Sequence, residues 1–162
     1  DYVYALKRIL DPRMRSNSLQ MIDGRFVGAD AVVAKAKETG HFDYDAPIEG
    51  LQATDRYTLR FKLVFADYEL LSNLTTTATS AVAREVIEAH ADGSGWAMAN
   101  PVGTGAYRLK DWRRGQRILL EANPGYRDER YPAPVSADDR ALTKGLAGRR
   151  LPLVANVETE TV

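Results

Sequence analysis

The plainest pattern in the chain is an alternation. In the stretch YTLRFKLVF, Tyr57, Leu59, Phe61, Leu63 and Phe65 alternate with Thr58, Arg60 and Lys62, which is the period of a half-buried strand. The preceding Ile48 to Ala53 pairs with it across a turn at Thr54-Asp55-Arg56,. One face of this hairpin is apolar and must be covered. Val3, Leu6 and Leu10, on one face of a first helix that Pro12 ends, are the natural lid,. After the turn-like Asp23-Gly24, the spacing predicts a second helix over Ala29 to Thr39, with Asp30 in its first turn and Gly40 at its C-terminus,. Its apolar positions Val32, Val33 and Ala36 are few, so this helix lies half exposed.

The segment DYELLSNL suits a short helix bearing Tyr68, Leu71 and Leu74, interrupted by the β-branched run Thr75-Thr76-Thr77,. SAVAREVIEAHAD resumes helix, burying Val82, Val86 and Ile87 until Gly93 stops it. The loop with Gly93, Gly95, Asn100 and Pro101 is the best candidate for a subdomain boundary,. A second hairpin follows: Tyr107 to Trp112, a turn at Arg113-Arg114-Gly115, and Gln116 to Ala122. From Asn123 the composition shifts. Pro124, Pro132 and Pro134 lead to a short helix in a surface excursion, with Ser136 and Asp139 at capping-box spacing and Leu142 and Leu146 on one face,. These elements define an α+β fold in which antiparallel hairpins pack against helices.

Composition narrows the function. The 162 residues carry 22 Lys+Arg against 22 Asp+Glu, a net charge of zero, which gives no basic excess for nucleic acid. A hydrophobic fraction of 44% with 27% charged residues is that of a folded globule,. There is no cysteine, which excludes disulfides, thiolate nucleophiles and cysteine metal ligands. No apolar run approaches the ~20 residues of a membrane span. The chain opens in helical register without Met and ends in NVETETV, in the middle of a strand, and both ends read as cuts in a longer protein.

Candidate chemistry is thin. Gly103 and Gly105 in NPVGTGAY are followed by neither the Lys-Ser or Lys-Thr of a phosphate loop nor a third glycine, and they lead into a strand instead of a helix,. They are better read as supplying unusual backbone angles at the strand entrance. His41 with Asp43 and Asp45 lacks a third well-spaced ligand for a metal, so a solvated loop is the simpler reading,. Asp138 and Asp139 suit a helix N-terminus. No serine sits in G-x-S-x-G,. No enzyme and no cofactor can be argued from these residues. The threonines at 75 to 77 form either a structural turn or a set of hydroxyls lining a cleft.

NPVGTGAYRLKDWRRGQRILLEANPGY resembles the segment typical of family 5 extracellular solute-binding proteins, the oligopeptide- and dipeptide-type receptors of ABC importers. Gly103, Thr104, Gly105, Tyr107, Trp112, Gly115, Asn123, Pro124 and Tyr126 fill that family's pattern, while Ala106 stands where it usually has proline. DYVYALKRILDP resembles the family's helix with Asp-Val and a later Arg, and LQATDRYTLRFKLV resembles its hairpin. The resemblance implies a fragment of the first lobe of a two-lobed receptor. Residues 1–99 would be its extra subdomain, 100–126 the strand pair returning to the main lobe, and 127–162 an insertion with a short helix and a truncated strand. It further implies a periplasmic or lipid-anchored protein that binds a peptide or related solute and delivers it to an ABC permease. Thr76 and Thr77 would be the ligand-binding residues, because the corresponding turn approaches the cleft. The alternative is a free-standing interaction or scaffold domain of the same fold with no transport role.

Overall fold

The computed structural model describes residues 1–90 and 100–160, which fall into two units, Asp1–Arg84 and Glu85–Val162. The first unit starts with α1 (Tyr2–Leu10), two short 3-10 turns, and α2 (Ala29–Thr39). Next come the paired strands β1 (Leu51–Ala53) and β2 (Leu59–Phe61), the short helix α3 (Leu70–Leu74), and a 3-10 turn at Thr77–Thr79. A further helix, α4 (Arg84–Ala89), begins at the boundary. The expected stop at Gly93 and the loop around Gly95 lie outside the described residues.

The core of this unit is built from Leu6, Ile9, Leu10, Ile22, Phe26, Phe42, Ile48 and Leu51, with Phe26 and Ile22 essentially inaccessible. Leu6 and Leu10 of α1 are buried as their spacing predicts. Burial extends beyond that stripe. Lys7 is 6% exposed and donates its ammonium to the carbonyls of Tyr44 (2.8 Å) and Ala46 (2.7 Å). Burial pulls its pKa below the ordinary lysine value,. The ammonium thereby ties α1 to the 43–46 loop. On the same loop, the Tyr44 hydroxyl donates to the buried Asp11 carboxylate at 2.7 Å.

The first hairpin differs from its sequence pattern. β2 is three residues long instead of nine, pairing Leu51 with Phe61 and Ala53 with Leu59. Phe61 and Leu63 do face the core cluster, and Leu63 bridges Phe26. Leu59 is only partly covered, and Tyr57 (88% exposed) and Phe65 (52%) lie outside. The physical reason is reach. The Asp55 carboxylate accepts from the Tyr57 amide and turns the chain before the strand begins, and the core beneath extends only from Phe61 to Leu63. The backbone of Val27, Gly50 and Lys62 fills the remaining space: Val27 donates to the Lys62 carbonyl (3.0 Å), Gly50 to that of Val27 (2.8 Å) and Lys62 to that of Gly50 (3.0 Å).

A second difference lies in α3. Leu70 is buried, whereas Tyr68 and Leu71 are exposed at 95% and 78%. The inward pair is Leu70 and Leu74, four apart, which is the spacing of one helix face,. Val82, Val86 and Ile87 are half-buried. The α2 prediction matches: the helix ends at Gly40, whose φ of 70° suits glycine, and only Ala29 and Ala36 are buried on it,.

The second unit carries β3 (Tyr107–Arg113), β4 (Arg117–Ala122), α5 (Ala137–Leu142) and β5 (Asn156–Glu160), the strands forming an antiparallel sheet in the order β3-β4-β5. The capping box at Ser136 and Asp139 is present. Arg113-Arg114-Gly115 makes the hairpin turn, with Gly115 at φ 69°. Gly103 and Gly105 do stand before a strand, but neither has a positive φ, so the unusual backbone angles expected of them are not there. The conformational demand falls on Gly115 in the turn instead.

Candidate functional site

The threonine turn is assembled by short-range hydroxyl bonds. As α3 ends, the Thr75 hydroxyl donates to the Ser72 carbonyl (2.7 Å) and that of Thr76 to the Asn73 carbonyl (2.9 Å). The Thr79 hydroxyl, 2% exposed, lies 3.1 Å from the carbonyls of both Asn73 and Thr76. Asn73 anchors the group by donating its side-chain amide to the Met21 carbonyl at 3.2 Å. The two predicted residues therefore differ. Thr76 has already committed its proton to the turn and retains only acceptor capacity. Thr77 is exposed, and its hydroxyl makes no hydrogen bond among the described residues, so it offers both a donor and an acceptor. Sequence reasoning missed Asn73 and Thr79; the available signal was that Ser and Thr side chains tend to bond backbone carbonyls three or four positions back.

The glycine segment belongs to the sheet. The Asn123 side chain donates to the Gly105 carbonyl (2.9 Å) and accepts from the Gly125 amide (2.9 Å), while its own amide donates to the Ala106 carbonyl (2.9 Å). Gly-Thr-Gly and Asn-Pro, far apart in the sequence, thus form one hydrogen-bonded corner at the end of the β3–β4 hairpin. Tyr107 extends it by donating to the Val154 carbonyl at 3.1 Å.

The two faces of this sheet are chemically distinct. Leu109 pairs with Leu120 and Trp112 with Ile118, and a register shift between Leu109 and Asp111 accommodates Lys110 as a bulge,. Without the extra residue, strict alternation would turn Trp112 to the other face. Val102, Tyr107, Leu109, Trp112, Ile118 and Leu120 line a groove of about 460 Å³. On the opposite face, Arg117 binds Asp111 (2.8 Å) and Glu158 (3.2 Å), and Arg108 binds Glu121 (2.6 Å). These partners hold the Asp111 and Glu121 carboxyls below their usual range,.

The two carboxylates considered for a metal are otherwise engaged. Asp43 accepts from the amides of Asp45 (2.9 Å) and Ala46 (3.1 Å), closing a turn, and Asp45 pairs with Arg84.

The chain belongs to the bacterial extracellular solute-binding proteins, family 5, whose middle-region model matches residues 1–146. The periplasmic oligopeptide-binding protein OppA of Salmonella typhimurium is 30% identical over 130 residues, covering 79% of this chain and 22% of that protein. Among solved structures, Haemophilus influenzae OppA in complex with RPPGFSPFR superposes with a TM-score of 0.60 at 25% identity, covering 78% of this chain and 23% of the other. The substrate-binding domain of an oligopeptide ABC transporter from Bacillus anthracis shares the fold over 99% of this chain and 26% of its own, with a TM-score of 0.60 and 18% identity. The α+β reading and the family resemblance are therefore borne out, and the family and these relatives are binding proteins. The chain spans about a fifth of the length of its curated relative.

Proposed function

We propose that the complete protein is the solute-binding component of an ABC-type importer of peptides or related solutes, working outside the cytoplasmic membrane. It would enclose its solute between two lobes by hinge closure and deliver it to a membrane permease. This chain supplies part of the first lobe. The observation that carries the reading is the family match over residues 1–146 together with the 30% identity to an oligopeptide-binding protein. Receptors of extended peptides gain affinity through main-chain hydrogen bonds, and the Thr77 hydroxyl is the group this chain offers for one.

Calorimetric titration of the complete gene product with short peptides tests the reading, and micromolar or tighter binding is expected. Thr77→Val removes the hydroxyl with little change of shape. A lost neutral hydrogen bond of about 0.5–1.5 kcal/mol weakens binding by up to about tenfold, with the melting temperature unchanged. Thr76→Val, by contrast, should lower stability, because its hydroxyl closes the turn on Asn73. Unchanged affinity in Thr77→Val would make the turn purely structural. Absence of binding to any peptide in the unmutated protein would remove the peptide reading itself.

A further inference from the structure

We propose that the excursion between β4 and β5, residues 127–150, is a docking surface for anionic phospholipid. The proposal rests on the preceding reading only for the location outside the cytoplasmic membrane, not for the solute. Charge in this chain balances overall but not along its length. From Arg140 to Arg150 there are four cations, Arg140, Lys144, Arg149 and Arg150, and no acidic residue. Arg140, Lys144 and Arg149 are exposed, and their side chains have no ion pair or hydrogen bond among the described residues. Arg130 stands opposite Arg150 across an antiparallel bridge, and both reach the same oxygen of Asp128, at 3.4 and 4.0 Å. Like charges so placed repel, and one carboxylate balances only one of the two. The excursion's other acidic residues do little to offset this. Glu129 pairs with Arg127 and Asp139 closes the capping box, which leaves Asp138.

The apolar residues decide which anion fits. Val135 and Leu142 are 94% and 83% exposed, and Leu142 falls between Arg140 and Lys144 in the sequence. A carboxylate-rich protein surface would satisfy the cations but gain nothing from the leucine. A bilayer offers both: phosphates at the surface for Arg and Lys, and acyl chains just beneath for Leu and Val. No residue of the excursion is buried, so it can meet a surface without unfolding. Each basic side chain near an anionic bilayer strengthens binding about fivefold, so three together contribute about a hundredfold.

The test is co-sedimentation of the complete gene product, produced without any covalent lipid, with two kinds of vesicle. One holds equal parts of phosphatidylglycerol and phosphatidylcholine, the other phosphatidylcholine alone. Binding to the anionic vesicles only is expected, with release in about 1 M salt, where charge is screened within about 3 Å. The triple variant Arg140→Gln, Lys144→Gln, Arg149→Gln should bind the anionic vesicles about a hundredfold more weakly. Leu142→Gln, which leaves the charge unchanged, should bind them severalfold more weakly. Both variants alter exposed side chains and should melt like the parent. Equal binding to the two kinds of vesicle, or unchanged binding in either variant, overturns the proposal. Tighter binding to polyglutamate than to the anionic vesicles, at equal negative charge, assigns the surface to an acidic polypeptide and also overturns it. The readout is lipid binding, so its failure leaves the peptide reading intact.

Discussion

Tyr44 shows how a single side chain can couple fold and protonation. Its ring packs between Tyr4 and Phe42, with centroids 5.0 Å from each, and its hydroxyl donates to Asp11. Burial, reinforced by that bond, raises the phenol's pKa above its ordinary value of about 10,. The unfolded chain therefore loses this proton first, the native state binds more protons as pH rises past about 10, and stability falls there. Tyr44→Phe should cost about 1–2 kcal/mol at neutral pH, a charge-assisted bond discounted for partial exposure. It should also show a shallower loss of stability above pH 10 than the unmutated chain, as measured by urea denaturation across that range. Parallel pH profiles would mean that the Tyr44 proton is not linked to folding. None of this is visible in the sequence. Leu6 and Leu10 announce their burial by spacing, but the partners of Lys7 and Asp11 lie more than thirty residues away, and no local pattern encodes that distance.

At the level of elements, periodicity gave parity correctly and extent poorly. Phe61 and Leu63 face inward as the alternation says, yet Tyr57 and Phe65 lie outside the core cluster, because strand length depends on the layer beneath. In α3 the apolar residues Leu70, Leu71 and Leu74 admit two faces, and the core selects Leu70 with Leu74. Trp112 is a third case: only the Lys110 bulge keeps it beside Leu109, and bulges have no reliable mark in the residues,. Gly50 is the most constrained position among these elements. A Cβ there would collide with the Lys62 carbonyl oxygen and with the Val27 amide nitrogen, both backbone atoms that cannot swing aside. Gly50→Ala should thus cost more than about 2 kcal/mol, in the range of overpacked sites. Gly24→Ala, whose Cβ meets open space but whose φ is 64°, should cost less. Comparing the two by thermal melting separates collision from backbone strain, and equal costs would show that the close approach at Gly50 is relieved by movement.

For the whole molecule, family membership was legible because a few short motifs of fixed residue type carry it. Gly105 and Asn123 belong to two such motifs, which a side-chain hydrogen bond joins into one corner. The candidate site was legible only in part, since Thr76 and Thr77 were named through the family resemblance, whereas Asn73 and Thr79 emerged from three-dimensional contacts. Every buried residue among those described lies between Tyr4 and Thr79, and this uneven distribution has a measurable outcome. In hydrogen exchange on this chain, the α1 amides and those of Val27, Gly50 and Lys62 should be protected most strongly, and the β3–β5 amides should exchange far faster, because local stability follows buried apolar contact. Equal protection in both regions would mean that local stability here does not follow buried apolar contact.

The excursion between β4 and β5 has a consequence of another kind. At its base Arg130 bridges Arg150, Leu151 donates to the Glu129 carbonyl (2.8 Å), and Tyr131 donates to that of Arg149 (2.9 Å). The two ends are therefore clasped by backbone bonds, joined by the Arg130 side chain donating to the Gly148 carbonyl (3.1 Å) and that of Arg150 to the Tyr126 carbonyl (3.2 Å). α5 and its neighbours, with Val135 and Leu142 at 94% and 83% exposure, contribute little to that clasp. Closing a longer loop costs only about 0.6 kcal/mol per doubling of length. Residues 132–147 should therefore accept insertions and deletions, with the strands on either side still drawn together at the same place.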